Sequence, residues 1–308
     1  MKTSGSGNQR DSSVRIRRVL VAIDFSSPSR AALAFVAPLL AKFGAELHLV
    51  HVFAADYPLA SMVGPLIVPE IEVQRRVRSH LKDFAAKEVL PVRRENIHVV
   101  KGRPFEEICR LARELEIDLI VTGTRGQTGL KHLVLGSTAE RVVRYAPCPV
   151  LVLHSLGNVR RSRALFRRIL VPVDFSPCSA QGVAVAKALA RKFGSQLFLL
   201  HSIDLHYYSA NSKYLLYDYP PLLAAAETAA RTQMEELVTG VAREGVAVDG
   251  TLENGHAGEQ ICARAREFRV ELIVTSTHGR TGLKHTLLGS TAEYVVRHAP
   301  CPVLVVPS

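Results

Sequence analysis

The 308-residue sequence is poor in cysteine and has no long apolar run. Its five cysteines are an odd number without a CxxC pair, which argues against a disulfide framework and favours a reducing compartment. The longest nearly uninterrupted apolar run, residues 31–41, is shorter than the roughly 20 residues that cross a bilayer. Residues 1–13 are polar, unlike a signal peptide. We therefore expect a cytoplasmic protein that does not contact membranes, with a flexible tail over residues 1–15.

Several motifs of nucleotide chemistry and metal binding are also missing. There is no GxxxxGK(S/T) phosphate loop, no SGGxDS loop, and no pair of HIGH and KMSKS segments. No histidines or acidic residues have the spacing of metal ligands. These absences argue against an enzyme of adenylyl transfer, and the sequence predicts neither a catalytic residue nor a metal site.

The most informative feature that is present is an internal repeat. Residues 129–141 read GLKHLVLGSTAER, and residues 282–294 read GLKHTLLGSTAEY, identical at ten of thirteen positions. Two further pairs are VLVAIDFS at 19–26 with ILVPVDFS at 169–176, and APCPVLVL at 146–153 with APCPVLVV at 299–306. The repeat predicts two homologous domains, residues 16–155 and 167–308, joined by a linker over residues 156–166.

The formal net charge of +11 raises the question of an anionic partner. Basic residues concentrate at and beside the linker, at Arg160, Arg161, Arg163, Arg167 and Arg168. They are not interleaved with aromatic residues, and no recognition helix is evident. We interpret them as a solvated linker, and nucleic acid is not the expected partner.

Each half alternates short apolar segments with amphipathic ones, which predicts strands alternating with helices. Residues 18–24 are typical of a strand buried on both faces. Ser26 and Pro28 then begin a helix that ends at Gly44. Such alternation requires parallel crossovers, so we predict two tandem doubly wound α/β domains of Rossmann-like type. Ligands of such sheets bind beyond the carboxyl ends of the strands.

Glycines and an acidic residue converge at that edge. Asp24 closes the first strand. The loop after the fourth strand runs Gly-x-x-Gly from Gly123 to Gly126 and, after nine intervening residues, reaches Gly136 and Ser137. Glycine permits positive φ and close backbone approach, and a helix N-terminus attracts anions. The loop therefore predicts a site for a phosphate chain.

Two of these residues also have structural interpretations. Ser137 with Glu140, repeated as Ser290 with Glu293, matches a capping box. Asp24 could serve only as a turn or helix-capping group, or could accept hydrogen bonds from ribose hydroxyls or a base. His51 and His201 end strands, and we expect them to be packed or bonded to the backbone rather than catalytic.

The segments ILVPVDFS, Gly-x2-Gly-x9-Gly-Ser and APCPVLVV resemble the universal stress protein family in its tandem form, from about Arg17 onwards. The resemblance implies an adenine nucleotide alpha hydrolase-like fold, ATP binding with ADP or AMP as alternatives, and Mg²⁺ accompanying ATP. It also implies that the last strands of the halves pair as in a dimer. The implied site residues are Ala22, Asp24, Val52, Gly123, Gly126, Gly136, Ser137 and Thr138, then Pro172, Asp174, Ser202, Ser276, Gly279, Gly289, Ser290 and Thr291. Two loop side chains, Arg125 and His278, are further candidates that could face the phosphates or be solvated.

The halves depart from the family pattern in different places. The first has Ala22 where the family often has proline, and the second has Ser276 at the position of Gly123. If that position needs a left-handed backbone, serine costs roughly 1–2 kcal/mol. We therefore expect the first half to be the tighter site.

The leading functional hypothesis is a nucleotide-dependent regulatory module of the stress response with little or slow ATP hydrolysis. The alternatives are a structural module without nucleotide and an adenylyl-transfer or ATPase enzyme on the same scaffold. The halves differ by a three-residue insertion between His201 and Gly255, where five of the eight tyrosines lie between Tyr207 and Tyr219. That segment is a candidate surface for a protein partner, a second copy of the chain, or a lid.

Overall fold

Strands and helices alternate through both halves of the computed structural model, which describes residues 15–53, 70–87, 92–124, 136–153, 166–204, 219–279 and 288–307. The elements of the first half are β1 (Arg18–Ala22), α1 (Ser27–Phe43), β2 (Glu46–Phe53), α2 (Glu70–Ala86), a 3₁₀ turn (Arg94–Asn96), β3 (Ile97–Lys101), α3 (Pro104–Glu114), β4 (Leu119–Gly123), α4 (Ser137–Tyr145) and β5 (Val150–Leu153). Those of the second half are β6 (Arg168–Pro172), α5 (Pro177–Phe193), β7 (Gln196–Ile203), α6 (Tyr219–Arg243), β8 (Val248–Asn254), α7 (Ala257–Glu267), β9 (Leu272–Ser276), α8 (Ser290–His298) and β10 (Val303–Val306).

The described strands form one ten-stranded sheet in the order β3-β2-β1-β4-β5-β10-β9-β6-β7-β8. Pairing is parallel within each half. The halves meet at the antiparallel pair β5–β10, where Leu151 lies opposite Leu304 and the flanking valines pair symmetrically. The predicted doubly wound α/β architecture and the predicted pairing of the two last strands are therefore confirmed.

The β1–α1 connection forms as its sequence predicts. Ser26 is the N-cap of α1, its hydroxyl oxygen accepts a hydrogen bond from the N–H of Ser29, and a proline occupies the first turn. Gly44 ends the helix with φ of 64°, a left-handed conformation that costs glycine little. The second half repeats this arrangement with Ser176 and Gly194.

Helices cover both faces of the sheet, and each face contributes a contact between the halves. On one face, Phe43 of α1 lies edge-on to Phe193 of α5, with ring centroids 5.8 Å apart. On the other face, Glu140 of α4 pairs with Arg297 of α8 at 3.5 Å. The halves therefore share a continuous core in addition to the sheet.

The described residues show whether any helix is suited to a membrane and whether the cysteines are paired. None of the described helices combines the length and apolar character that crossing a lipid bilayer requires. All five cysteines lie among the described residues and are free, and four of them are buried. Burial raises the pKa of Cys109 to about 11, which keeps this thiol protonated and unreactive at neutral pH.

Two histidines on neighbouring strands of the first half contact each other, the buried His48 of β2 and the partly buried His98 of β3. Nδ1 of His48 lies 3.2 Å from Nε2 of His98, and the planes of the two rings are nearly parallel. Burial, the imidazole of His48 and the guanidinium of Arg78 lower the pKa of His98 to about 4. The folded state therefore keeps His98 neutral at pH values where an unfolded histidine is protonated.

This pair predicts an acid-dependent loss of stability. Because the pKa of His98 is lower when folded, its contribution is complete above pH 6.5 and is lost as the pH falls towards 4. For His98→Gln, the loss of unfolding free energy between pH 7 and pH 5 should be about 1–2 kcal/mol smaller than for the parent chain. Urea denaturation at both pH values measures the difference. His256→Gln, at an exposed position, is the control, and an equally steep loss in His98→Gln would contradict the prediction.

Candidate functional site

Two clefts lie at the carboxyl ends of the strands, one in each half, with volumes of about 180 Å³ and 240 Å³. All of the described residues that the sequence predicts for the site line one of them. In the first half these are Ala22, Asp24, Val52, Gly123, Gly136, Ser137 and Thr138. In the second half they are Pro172, Asp174, Ser202, Ser276, His278, Gly279, Gly289, Ser290 and Thr291. Arg125 and Gly126 lie outside the described residues.

The turn after β1 is strained in both halves. Phe25 has φ of 63° and Phe175 has φ of 62°, in the left-handed region that bulky residues rarely adopt. The conformation costs roughly 1–2 kcal/mol, and the Phe25 ring packs edge-on against Phe84 and beside His51. Repeated strain beside a cleft is typical of functional sites. The sequence repeats the Asp-Phe-Ser triplet but gives no signal for a left-handed phenylalanine.

The carboxylate of Asp24 is held by this turn. Its Oδ1 accepts hydrogen bonds from the N–H of Ser26 at 3.0 Å and from the Ser26 hydroxyl at 2.5 Å. Asp174 repeats both bonds with Ser176. The turn-and-cap role considered for Asp24 is therefore present in the structure. The same carboxylate lines the cleft, so this role does not exclude contact with a ligand.

His51 fixes the end of β1 from the neighbouring strand. Its Nδ1–H donates to the carbonyl of Ile23 at 2.7 Å, and His201 donates in the same way to the carbonyl of Val173. Burial is the main cause that lowers the pKa of His51, which favours the neutral ring. The predicted hydrogen bonds of His51 and His201 to the backbone are therefore confirmed.

The loop after β4 is closed at its base by a backbone hydrogen bond. The N–H of Gly136 donates to the carbonyl of Thr124 at 2.8 Å, and the N–H of Gly289 donates to that of Thr277 at 2.9 Å. A Cβ at Gly136 would lie 3.2 Å from the Thr124 oxygen, closer than Cβ atoms ordinarily approach. These glycines have φ of −62° and −59°, so the expectation of positive φ is wrong here. Close approach is the constraint that favours glycine.

The predicted capping box is also wrong. Gly136 and Gly289 are the N-caps of α4 and α8, and Ser137 and Ser290 are the first helical residues. Among the described residues, neither helix has a capping side chain. Glu140 pairs with Arg144 at 3.1 Å instead of reaching back to the cap. The tight contact at Gly136 leaves no room for a capping side chain. The N–H groups of the first turn, which have no partner within the helix, are therefore left for a ligand.

The expectation that the first half binds more tightly loses its physical basis. Gly123 and Ser276 both end extended strands, and neither has positive φ. The Ser276 hydroxyl donates to the carbonyl of His278 at 2.8 Å, so serine fits without the expected cost. Close approach instead favours glycine at Gly279, where a Cβ would lie 2.5 Å from Oδ2 of Asp174.

Several residues that line the clefts were not predicted from the sequence. They include Thr122 and Thr124 from β4 and its end, Ser29 from α1, and Ile108 from α3. Their counterparts Thr275, Thr277, Ser179 and Ile261 line the second cleft. The signal that could have found them is the internal repeat, since each position holds the same residue in both halves.

The described lining of the first cleft carries little charge. Asp24 is its one ionisable side chain, and the remaining groups are hydroxyls, backbone and apolar side chains. In the described residues, no group of three or more histidine, cysteine or acidic side chains could hold a metal ion. The cleft can therefore offer N–H and hydroxyl donors at α4, a carboxylate acceptor at Asp24, and an apolar wall at Val52 and Ile108.

Comparison with known proteins places the fold and both halves in one family. The model of the universal stress protein family matches residues 15–154 and again residues 165–307. A universal stress protein of Mycolicibacterium smegmatis is 27% identical over 298 residues, which covers 94% of this chain and 96% of that protein. One of Mycobacterium tuberculosis is 28% identical over 298 residues, which covers 93% of this chain and 96% of that protein.

A solved structure has the same arrangement over nearly the full length. The crystal structure of a universal stress protein from Archaeoglobus fulgidus superposes with a TM-score of 0.66 at 23% identity, and covers 94% of this chain and 98% of that chain. The fold, the repeated cleft and the two family matches agree, and the chain belongs to the universal stress protein family.

Proposed function

We propose that each half of the chain binds an adenine nucleotide, ATP with ADP or AMP as alternatives, and acts as a nucleotide-dependent regulatory module. In each half, one cleft is lined both by the N-terminus of a helix, which has no capping side chain among the described residues, and by an aspartate carboxylate. This repeated arrangement is the observation that carries the proposal. The proposal keeps the division into domains at residues 16–155 and 167–308. Any Mg²⁺ would arrive with the nucleotide.

The phosphate chain would lie at the start of α4. A helix N-terminus carries about half a positive charge, and its first N–H groups need partners. Gly136 directs that turn towards the cleft, and Ser137 and Thr138 add hydroxyl donors. Backbone and hydroxyl donors of this kind bind phosphate without a lysine from the cleft wall.

The nucleoside would lie at the end of β1. Asp24 can accept hydrogen bonds from ribose hydroxyls, as acidic residues do in other nucleotide-binding sheets. Ala22, Val52 and Ile108 provide an apolar surface for the base. The strained turn at Phe25 keeps the carboxylate at this edge, because the N–H and the hydroxyl of Ser26 both donate to its Oδ1.

The proposal predicts that replacing Gly136, at the base of the loop after β4, abolishes one of the two nucleotide sites. In Gly136→Val the side chain would push the start of α4 away from Thr124, whose oxygen lies 3.2 Å from the Cβ position. Denaturing the purified protein and analysing the released nucleotide should show about half the content of the parent chain. Gly240→Val is the control, because a Cβ there meets nothing within 4 Å. Unchanged nucleotide content in Gly136→Val, or a parent chain that binds no adenine nucleotide, would refute the proposal.

Ser137 should matter for binding and not for folding. A hydrogen bond to a charged group is worth about 1.5–3 kcal/mol, so Ser137→Ala should weaken ATP binding in the first half about tenfold or more. Its free energy of unfolding should change by less than about 0.5 kcal/mol, because Ser137 caps no helix. Ser176→Ala, at a true N-cap, should instead lose about 1 kcal/mol of stability. Calorimetry measures the ATP affinity and urea denaturation measures the free energy of unfolding. A large loss of stability in Ser137→Ala would indicate a structural role instead.

Hydrolysis should be slow. Asp24 already accepts two hydrogen bonds from Ser26, and the Nδ1–H of His51 is committed to a backbone carbonyl. A phosphate site that has no positioned base among the described residues should hydrolyse ATP at about 10⁻² s⁻¹ or less, even if an arginine of the same chain reaches the phosphates. A single-turnover assay with ATP and magnesium measures the rate. Cleavage within seconds would favour the alternative of an ATPase.

A further inference from the structure

A second cavity adjoins the first cleft. It has a volume of about 440 Å³ and is lined by one face of α4, with residues Ser137, Glu140, Arg141, Arg144 and Tyr145, and by Phe105 of α3. Ser137 lines this cavity and the cleft alike, so the two spaces meet at the first turn of α4. Phe105 follows Pro104, which lines the cleft. A ligand whose phosphates reach Ser137 would therefore extend into this cavity.

Arg141 is the cation that this cavity offers. Its guanidinium lies 5.0 Å from the centroid of the Phe105 ring, and it forms no ion pair within the described part of the chain. Arg144, in contrast, is paired with Glu140, which also contacts Arg297 of the other half. Helical side chains lean towards the N-terminus, and Arg141 lies one turn after Ser137 on the same face. The Arg141 guanidinium is thus placed to meet an anion at Ser137.

The second half differs at this place. Tyr294 occupies the position of Arg141, and Gly258 occupies that of Phe105. A Cβ at Gly258 would lie 2.5 Å from Cδ1 of Tyr294, so the tyrosine ring takes the space of the missing phenylalanine. The ring also stacks on His298 at 4.1 Å. A neutral aromatic ring therefore replaces the cation of the first half.

We propose that Arg141 is a specificity-determining residue that contacts the terminal phosphate of a nucleotide in the first half. The first half then favours nucleoside triphosphates over monophosphates, and the second half discriminates less. This inference rests on the proposed nucleotide binding. It replaces the asymmetry expected from Gly123 and Ser276 with one that arises from Arg141 and Tyr294.

The test is calorimetric titration of the full chain with ATP and with AMP, at one magnesium concentration, before and after Arg141→Gln. The titrations use the Gly289→Val background, which leaves the first half to bind, or the unaltered chain if that variant is unfolded by circular dichroism. Because one charged contact is lost, ATP affinity should fall about tenfold while AMP affinity stays within about twofold. Arg75→Gln removes an exposed arginine of α2 and should change neither affinity.

Each outcome decides between the two claims. Loss of ATP affinity alone supports the role of Arg141. Equal loss for ATP and AMP, or no loss for either, overturns that role and leaves the proposed nucleotide site standing. Absence of binding of both nucleotides by the parent chain overturns the proposed function, and the role of Arg141 with it.

Discussion

Burial of both faces of the sheet is the constraint on which the rest of the structure depends. β1 and β4 are apolar at nearly every position, so helices must cover both sides and each parallel connection must cross over. The polar groups of the turns are then confined to the strand ends. β5 and β10 have no further strand of their own half to pair with, and they pair with each other. The position of the clefts and the pairing of the two halves are therefore both consequences of burying both faces of the sheet.

Within each cleft, two local backbone geometries determine where the aspartate carboxylate and the helix N-terminus lie. A left-handed phenylalanine turns the chain so that the Asp24 carboxylate is bonded to Ser26, and a backbone bond from Gly136 to Thr124 fixes where α4 begins. Neither geometry depends on a charged loop side chain. The phosphate-binding character proposed for the cleft therefore rests on backbone N–H groups and on the hydroxyls of Ser137 and Thr138, none of which titrates near neutral pH.

Much of the fold was predictable because it depends on hydrophobic periodicity and on local capping patterns in the sequence. The buried strand of residues 18–24, the cap at Ser26 and the glycine stop at Gly44 are local patterns, and the repeat extends them to the second half. The start of α4 was not predictable in this way. Serine three residues before glutamate favours a cap, but the contact of Gly136 with Thr124 joins residues at the two ends of a loop, and no local pattern reports that distance.

The antiparallel contact of β5 with β10 has a geometric consequence for the two clefts. Carboxyl ends of parallel strands lie at one edge of a sheet, and the antiparallel pair reverses that direction between the halves. The clefts therefore open at opposite edges of the sheet. Access to one cleft therefore does not obstruct access to the other.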